Sequence, residues 1–373
     1  MIPLARPVFD KADLKAVEEV LHSGWVAGQG PRNVVLSEKF SEYLGVKHSV
    51  PMVNCTAALH LALLSLGIGK DDEVLVSDFT FPATGHSVLY VGGQPIFVDA
   101  ELDSYNLSLE DIESKISERT KAIIAVHAFG NPVDMDELLK LSHEYCIPVI
   151  EDAACAAGSI YHGHHVGTFG AIGCFSLHAR KILTTGEGGI FVTNDDKLAT
   201  KAKSLANFGI RSAYQREQGD DLLIPEFVEV GYNYKLSDIA AGLAISRLDK
   251  LKASIDRRNE VARVYDDLFE NTDCILVQQT LQNSTHSYQS YVVTLETSKT
   301  RSIVYSKMKE NGIQTQIGTY SSVCQPVYGR NQSECPNSVK LFNQTLAIPI
   351  FDTITDDEIH KVAAALKKAV TEI

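Results

Sequence analysis

A chain of 373 residues leaves room for two domains with sizeable cores. Hydrophobic residues at 45% and charged residues at 22% are ordinary for a globular protein. The balance of 34 basic to 47 acidic residues gives a formal charge of -13, which excludes nucleic acid and anionic membrane surfaces as partners, since both demand a basic face.

An anionic substrate therefore has to be met by local positive charge. The seven cysteines are odd in number, widely spread and form no C-x-x-C pair, so they are read as reduced thiols rather than a disulfide framework or a zinc site. The first residues, Met1 to Pro7, lack the apolar region of a signal peptide, and no apolar run reaches membrane-spanning length. The expectation is a soluble, cytoplasmic protein.

In chain order, Asp10 caps a helix with Leu14, Val17 and Leu21 on its apolar face, and a second helix carries Leu36, Phe40, Tyr43 and Leu44 and stops at Gly45. Between them, Gly24 to Pro31 holds Trp25, the only tryptophan; it reads either as a connector or as a loop over a site. Thr56 opens a helical run that ends at Gly67. Apolar strands follow at Glu73 to Ser77, Pro95 to Asp99, Ala122 to Val126 and Pro148 to Asp152, with helices between, one capped by a Ser108/Asp111 pair. Nearly continuous apolar strands alternating with helices predict a mostly parallel sheet covered on both faces. The fold class is α/β.

Further on, Asp195 to Asn207 is a helix, Arg211 to Glu229 a long polar loop, and Ser237 caps a helix that runs into another near Ile255 to Phe269. Beyond about residue 250 short strands such as Tyr291 to Thr294, and helices such as Arg301 to Asn311, predict a smaller α+β unit ending in a helix capped by Thr355 with Glu358. The expected domains are 1–250 and 251–373.

The chemistry centres on Lys181, which lies between the apolar segment Ala171 to Phe175 and the turn Thr184-Thr185-Gly186-Glu187-Gly188-Gly189. A lysine beside a close-packed turn loses hydration, which lowers its pKa toward the range where it attacks carbonyls. Upstream, Asn54 to Ala58 offers small residues at a helix start, either a phosphate cradle or an ordinary cap. Asp152 ends a strand where open α/β sheets place their ligands; it either holds a cofactor's ring nitrogen or caps the next turn. Phe79 and Phe81 follow another strand, as core or as a stacking surface. Tyr161-His162-Gly163-His164-His165 reads as a solvated hairpin turn rather than a metal site, because no carboxylate or cysteine accompanies it at ligand spacing.

The segments Thr56 to Leu63, Phe97 to Asp99, Gly130 to Met135, Glu151-Asp152-Ala153-Ala154, Ser176 to Lys181 with Thr184 to Gly189, and Gly231 to Asp238 resemble the DegT/DnrJ/StrS family of sugar aminotransferases that use pyridoxal phosphate (PLP), with a looser echo at Gly318 to Tyr320 and Gln325 to Tyr328. The resemblance implies a fold-type I enzyme with a seven-stranded sheet, working as a homodimer with shared sites in amino-sugar and O-antigen biosynthesis. The implied reaction moves an amino group from glutamate to a keto sugar carried on a nucleotide. Lys181 matches the family's Schiff-base lysine, Asp152 the ring-nitrogen partner, Thr56, Ala57 and Ser176 the phosphate contacts, and Phe81 the stacking aromatic. Asn233 matches the residue that reaches the partner subunit's phosphate; Trp25, His178 and Tyr320 are candidate substrate contacts. Departures are Cys155, where the family has Gln, Glu or His, Cys55 in place of a glycine, and Val323 in place of a histidine. Alternatives are a PLP-dependent sugar dehydratase, whose relatives carry histidine at the Lys181 position, and a non-enzymatic regulator.

Overall fold

The computed structural model describes residues 1–210, 225–296 and 298–372. Its first helices are set by their caps. Asp10 accepts hydrogen bonds from the Ala12 and Asp13 amides to open α1 (Lys11–Ser23), and Gly24 closes it with φ of 73°. Pro31 sits in the first turn of α2 (Pro31–Leu44).

Among the described residues the large sheet has seven strands, β1 (His48–Met52), β2 (Glu73–Ser77), β3 (Gln94–Val98), β4 (Thr120–Val126), β5 (Val149–Asp152), β6 (Ile172–Ser176) and β7 (Gly189–Thr193). Their order is β1-β7-β6-β5-β4-β2-β3, with only β7 antiparallel to its neighbours. The sheet is mostly parallel, as the continuous apolar strands predicted. Alternation along each strand feeds two cores. Leu75, Ile123 and Val149 join the cluster with Leu36 and Phe40 of α2, whereas Val74, Val76, Ile124 and Ile150 join that of α3 (Cys55–Ser65).

A second, antiparallel sheet is built from β8 (Ile275–Val277), β9 (Tyr291–Leu295), β10 (Gln316–Ile317) and β11 (Thr345–Ile348), in the order β8-β9-β11-β10. The chain start belongs to this second core: Ile2 bridges Ile313 and packs among Val261, Leu346 and Ile348.

Several local expectations are corrected. Leu14 and Leu21 of α1 face outward, 67% and 56% exposed, because the helix packs against Asp238–Leu248 through Val20 while Asp13 takes hydrogen bonds from Ser246 and Lys250. Ser108 makes no side-chain cap, since Asp111 instead accepts from the Asp99 amide and from Lys115. The cap of α3 is Asn54 rather than Thr56. The histidine segment does form a hairpin, Ile160–Tyr161 pairing with His164–His165. Of the polar loop expected at Arg211 to Glu229, residues 211–224 lie outside the described residues.

Two strand-end aspartates join the second unit to the large sheet. Asp99 accepts from the Asn337 and Ser338 amides at the start of the Pro336–Gln344 helix. Asp78, directly after β2, accepts from Ser321 Oγ at 2.6 Å and the Val323 amide at 2.8 Å. Burial pushes the Asp78 carboxyl from its ordinary 3.8 up to about 6, against the opposing pull of those donors. A raised carboxyl stabilises the fold fully below its unfolded value and loses that contribution as pH rises through the folded one. Compared with Asp78→Asn by urea unfolding, the wild type should therefore lose ~2 kcal/mol of relative stability from pH 4 to 7. A difference that does not vary with pH would refute this.

Candidate active site

The carboxyl ends of β2, β4, β5 and β6 open onto a cavity of about 580 Å³ that is also walled by the start of α3, by Gln316 and Ile317 of the second sheet and by residues 318–320 after them. Open α/β sheets gather ligands at this edge, where strands end and helices begin.

Lys181 lies in a closed loop. The Leu177 amide donates to Gly188 O, the Thr185 amide to Leu177 O, and the Lys181 amide to His178 O, each within 2.8–2.9 Å. The loop returns at Gly189, where an added Cβ would lie 2.3 Å from the Asn54 carbonyl carbon and 2.4 Å from the Cys55 nitrogen. Only glycine lets β7 come this close to the first turn of α3, so the Gly-rich motif also seats that helix start.

At that start, Asn54 Oδ1 accepts from the Ala57 amide at 2.8 Å. Thr56 lines the cavity, with Asn54 and Cys55; Ala57 is buried outside the wall and its N–H is already taken up by Asn54. Ser176, the last residue of β6, lines the same wall.

Asp152 ends β5 and is almost fully buried. Its Oδ2 accepts from Thr84 Oγ at 2.8 Å and its Oδ1 from the Ala154 amide at 3.1 Å, so it caps the following turn while facing the cavity. Burial raises its carboxyl above the ordinary range, and the Thr84 hydroxyl, the Ala154 amide, Lys181 and His127 pull it back. His127 is braced by Glu151. The Val133 amide donates to His127 Nδ1 at 3.1 Å, which leaves the ring proton on Nε2 to be donated to Glu151, 3.0 Å away. Thr84 and His127 escaped the sequence reading because neither sits in a motif or near Asp152 in the chain.

Lys181 Nζ donates to Cys155 Sγ at 2.9 Å. The expected lowering of the Lys181 pKa is overturned. Burial pushes the amine down and is the largest single influence, yet Cys155, Cys55 and Asp152 together hold it above its ordinary value.

Phe81 lines the cavity and is 63% exposed, its ring 6.2 Å from that of Tyr320 and edge-to-face, whereas Phe79 is core. His178 and Tyr320 also line the wall. Val323 does not: it is buried in the α3 core, and its amide is held by Asp78. Trp25 and Asn233 lie outside the cavity on a shared surface. Gly28 bridges Ser237, Asn207 bridges Asn233, and Asn207 Nδ2 donates to Gln29 at 3.1 Å. The wall also holds Arg180, Gln289, Ser290 and Gln316, which the sequence reading did not single out.

These residues fit PLP. A helix start offers amides to a phosphate, a buried carboxylate at a strand end matches a ring nitrogen, Phe81 offers an exposed ring face, and a lysine amine stands in the same cavity. No group of His, Cys, Asp and Glu able to hold a metal ion occurs among the described residues, and none of their helices is long and apolar enough to cross a membrane.

Residues 7–367 match the model of the DegT/DnrJ/EryC1/StrS aminotransferase family. The chain is 32% identical to the GDP-perosamine synthase of Escherichia coli O157:H7, over 98% of each chain. It is 33% identical to the UDP-4-amino-4-deoxy-L-arabinose--oxoglutarate aminotransferase of Shewanella sediminis (strain HAW-EB3), over 99% of this chain and 98% of that one. The solved aminotransferase TlmJ from Streptoalloteichus hindustanus superposes with a TM-score of 0.92 at 30% identity, covering 100% of this chain and 99% of that one. With a family match over nearly its whole length and a cavity that fits the cofactor, the chain belongs to the DegT/DnrJ/EryC1/StrS aminotransferase family and is a PLP-dependent sugar aminotransferase.

Proposed function

We propose that this enzyme takes its amino group from glutamate and delivers it to a keto sugar carried on a nucleotide, in the cytoplasm and as a homodimer with shared sites. The observation that carries the reading is the placement of Lys181, Asp152 and the start of α3 around one cavity. The donor and the nucleotide are supported by similarity: one relative is named for oxoglutarate, the keto acid that glutamate becomes, and two for GDP- and UDP-linked sugars.

When bound, PLP supplies a ring that draws electrons from the substrate carbon bearing the amino group and carries that group between donor and acceptor. Lys181 would be the residue that holds PLP covalently, and its Nζ, when free, would serve as the base that takes the proton from that carbon and gives it back during the transfer. Its contact with Cys155 holds the amine toward the cavity. Asp152, held by Thr84 and Ala154, would partner the ring nitrogen and favour its protonated form. The start of α3 at Cys55 and Thr56, with Ser176, would hold the phosphate, and Phe81 would cover one ring face.

Dimerisation is supported by what each chain leaves uncovered. Leu14, Leu21 and Val34 are more than half exposed, and Trp25 and Val26 nearly half. Such side chains favour burial against a partner. Trp25 and Asn233 share one surface away from their own cavity, which suits delivery to the partner's.

The first test is the visible spectrum of the PLP-loaded enzyme with glutamate. Conversion to the shorter-wavelength amine form is expected, and an unshifted band would refute the donor. Lys181→Ala should cost at least roughly 10³-fold in turnover while the protein still holds PLP without covalent attachment. Full turnover in that variant would remove Lys181 from its role. For the shared site, Lys181→Ala and Asn233→Ala homodimers, each inactive alone, should regain activity when subunits are exchanged, toward about a quarter of the wild-type sites. No recovery in verified mixed dimers would place Asn233 outside the partner's site.

A further inference from the structure

Both substrates of the proposed reaction are anions, yet the chain carries a net charge of -13, so their recognition depends on charge placed inside the cavity. Apart from Lys181 and the histidine His178, Arg180 is the cationic side chain in the cavity wall among the described residues. Its place is fixed from both sides. Gln289 brackets the backbone around Lys181, its Nε2 donating to Arg180 O at 2.6 Å and its Oε1 accepting from the Ile182 amide at 3.1 Å. The guanidinium is anchored in turn, Nη1 donating to Gln316 Oε1 at 2.7 Å.

The anchor is neutral, and among the described residues no carboxylate pairs with Arg180. Glu187, the exposed acid of the same wall, lies 3.8 Å from His178 instead. An uncompensated guanidinium held by one nitrogen keeps its remaining N–H groups for an anion, and their planar fork matches a carboxylate in a bidentate way. Arg180 and Lys181 line one cavity, so an anion held by Arg180 shares the space that Lys181 serves.

Resting on the donor reading above, we propose that Arg180 binds a carboxylate of the dicarboxylate amino donor and thereby selects glutamate. The keto acid leaving the site keeps the same carboxylates, so the contact serves both entry of the donor and release of its product. The alternative anion, the diphosphate of a nucleotide-linked acceptor, is an outcome that the test separates.

The test uses PLP-loaded wild type, Arg180→Met and Arg180→Lys, each accepted only with an unchanged visible band. Each is titrated calorimetrically with glutarate, a dicarboxylate without an amine, and with inorganic pyrophosphate. Arg180→Met should weaken glutarate binding about 10- to 100-fold and leave pyrophosphate unchanged, with Arg180→Lys intermediate because it keeps the charge and loses the fork. Unchanged glutarate binding, or a larger loss for pyrophosphate than for glutarate, would overturn the assignment. Failure of the donor reading shows elsewhere, as a wild-type band that glutamate does not shift, while the glutarate titration still decides Arg180.

Discussion

The arrangement depends on a carboxylate that is buried and must still carry charge. Asp152 sits at a strand end with almost no surface in water, and such burial by itself favours the neutral acid. Opposing it are a hydroxyl from Thr84, an amide from Ala154 and the positive charge of Lys181. A protonated ring nitrogen brought beside it adds a charge of opposite sign in a dry site, where that attraction is strongest. The protein thus holds the acid in a state that its cofactor completes.

The neighbouring residue shows why this can be done on a strand. Successive side chains point to opposite faces, so Glu151 and Asp152 diverge although adjacent. Glu151 accepts from the Phe169 and Gly170 amides at 2.7 and 2.6 Å and from His127, which fastens the 167–170 loop behind the sheet. One carboxylate braces the scaffold and the other serves the site. Asp78 and Asp99 brace the scaffold as Glu151 does, Asp78 holding Ser321 and Val323 just after Tyr320 of the cavity wall, and Asp99 the start of the Pro336–Gln344 helix.

Much of this was legible in the sequence, for reasons that are local. Apolar strands between helices announce a parallel sheet, a strand-end aspartate announces its ligand edge, and a lysine ahead of a Gly-rich turn announces a tight loop. What stayed hidden is long-range. Strand His48–Met52 has a histidine, a serine and a proline in its five residues, and it exists because β7 runs beside it. The apolar stripe of α1 looked like a core face, but the buried face is held by Asp13 and its partners 233 and 237 residues away. Ala57 matched a motif by position, yet the Asn54 cap had already engaged its amide.

The acidity of the chain and the anionic character of its substrates are reconciled by distance. At physiological salt, exposed charges fade over roughly 8 Å, so the surplus acids on the surface act weakly inside the cavity. A guanidinium in the wall acts across a hydrogen bond, at a range where it outweighs many remote carboxylates. On the proposed reading the enzyme binds a small dicarboxylate although the chain as a whole is acidic. Selectivity then rests on how firmly the cation is placed, which is the part played by the Gln289 and Gln316 contacts on either side of it.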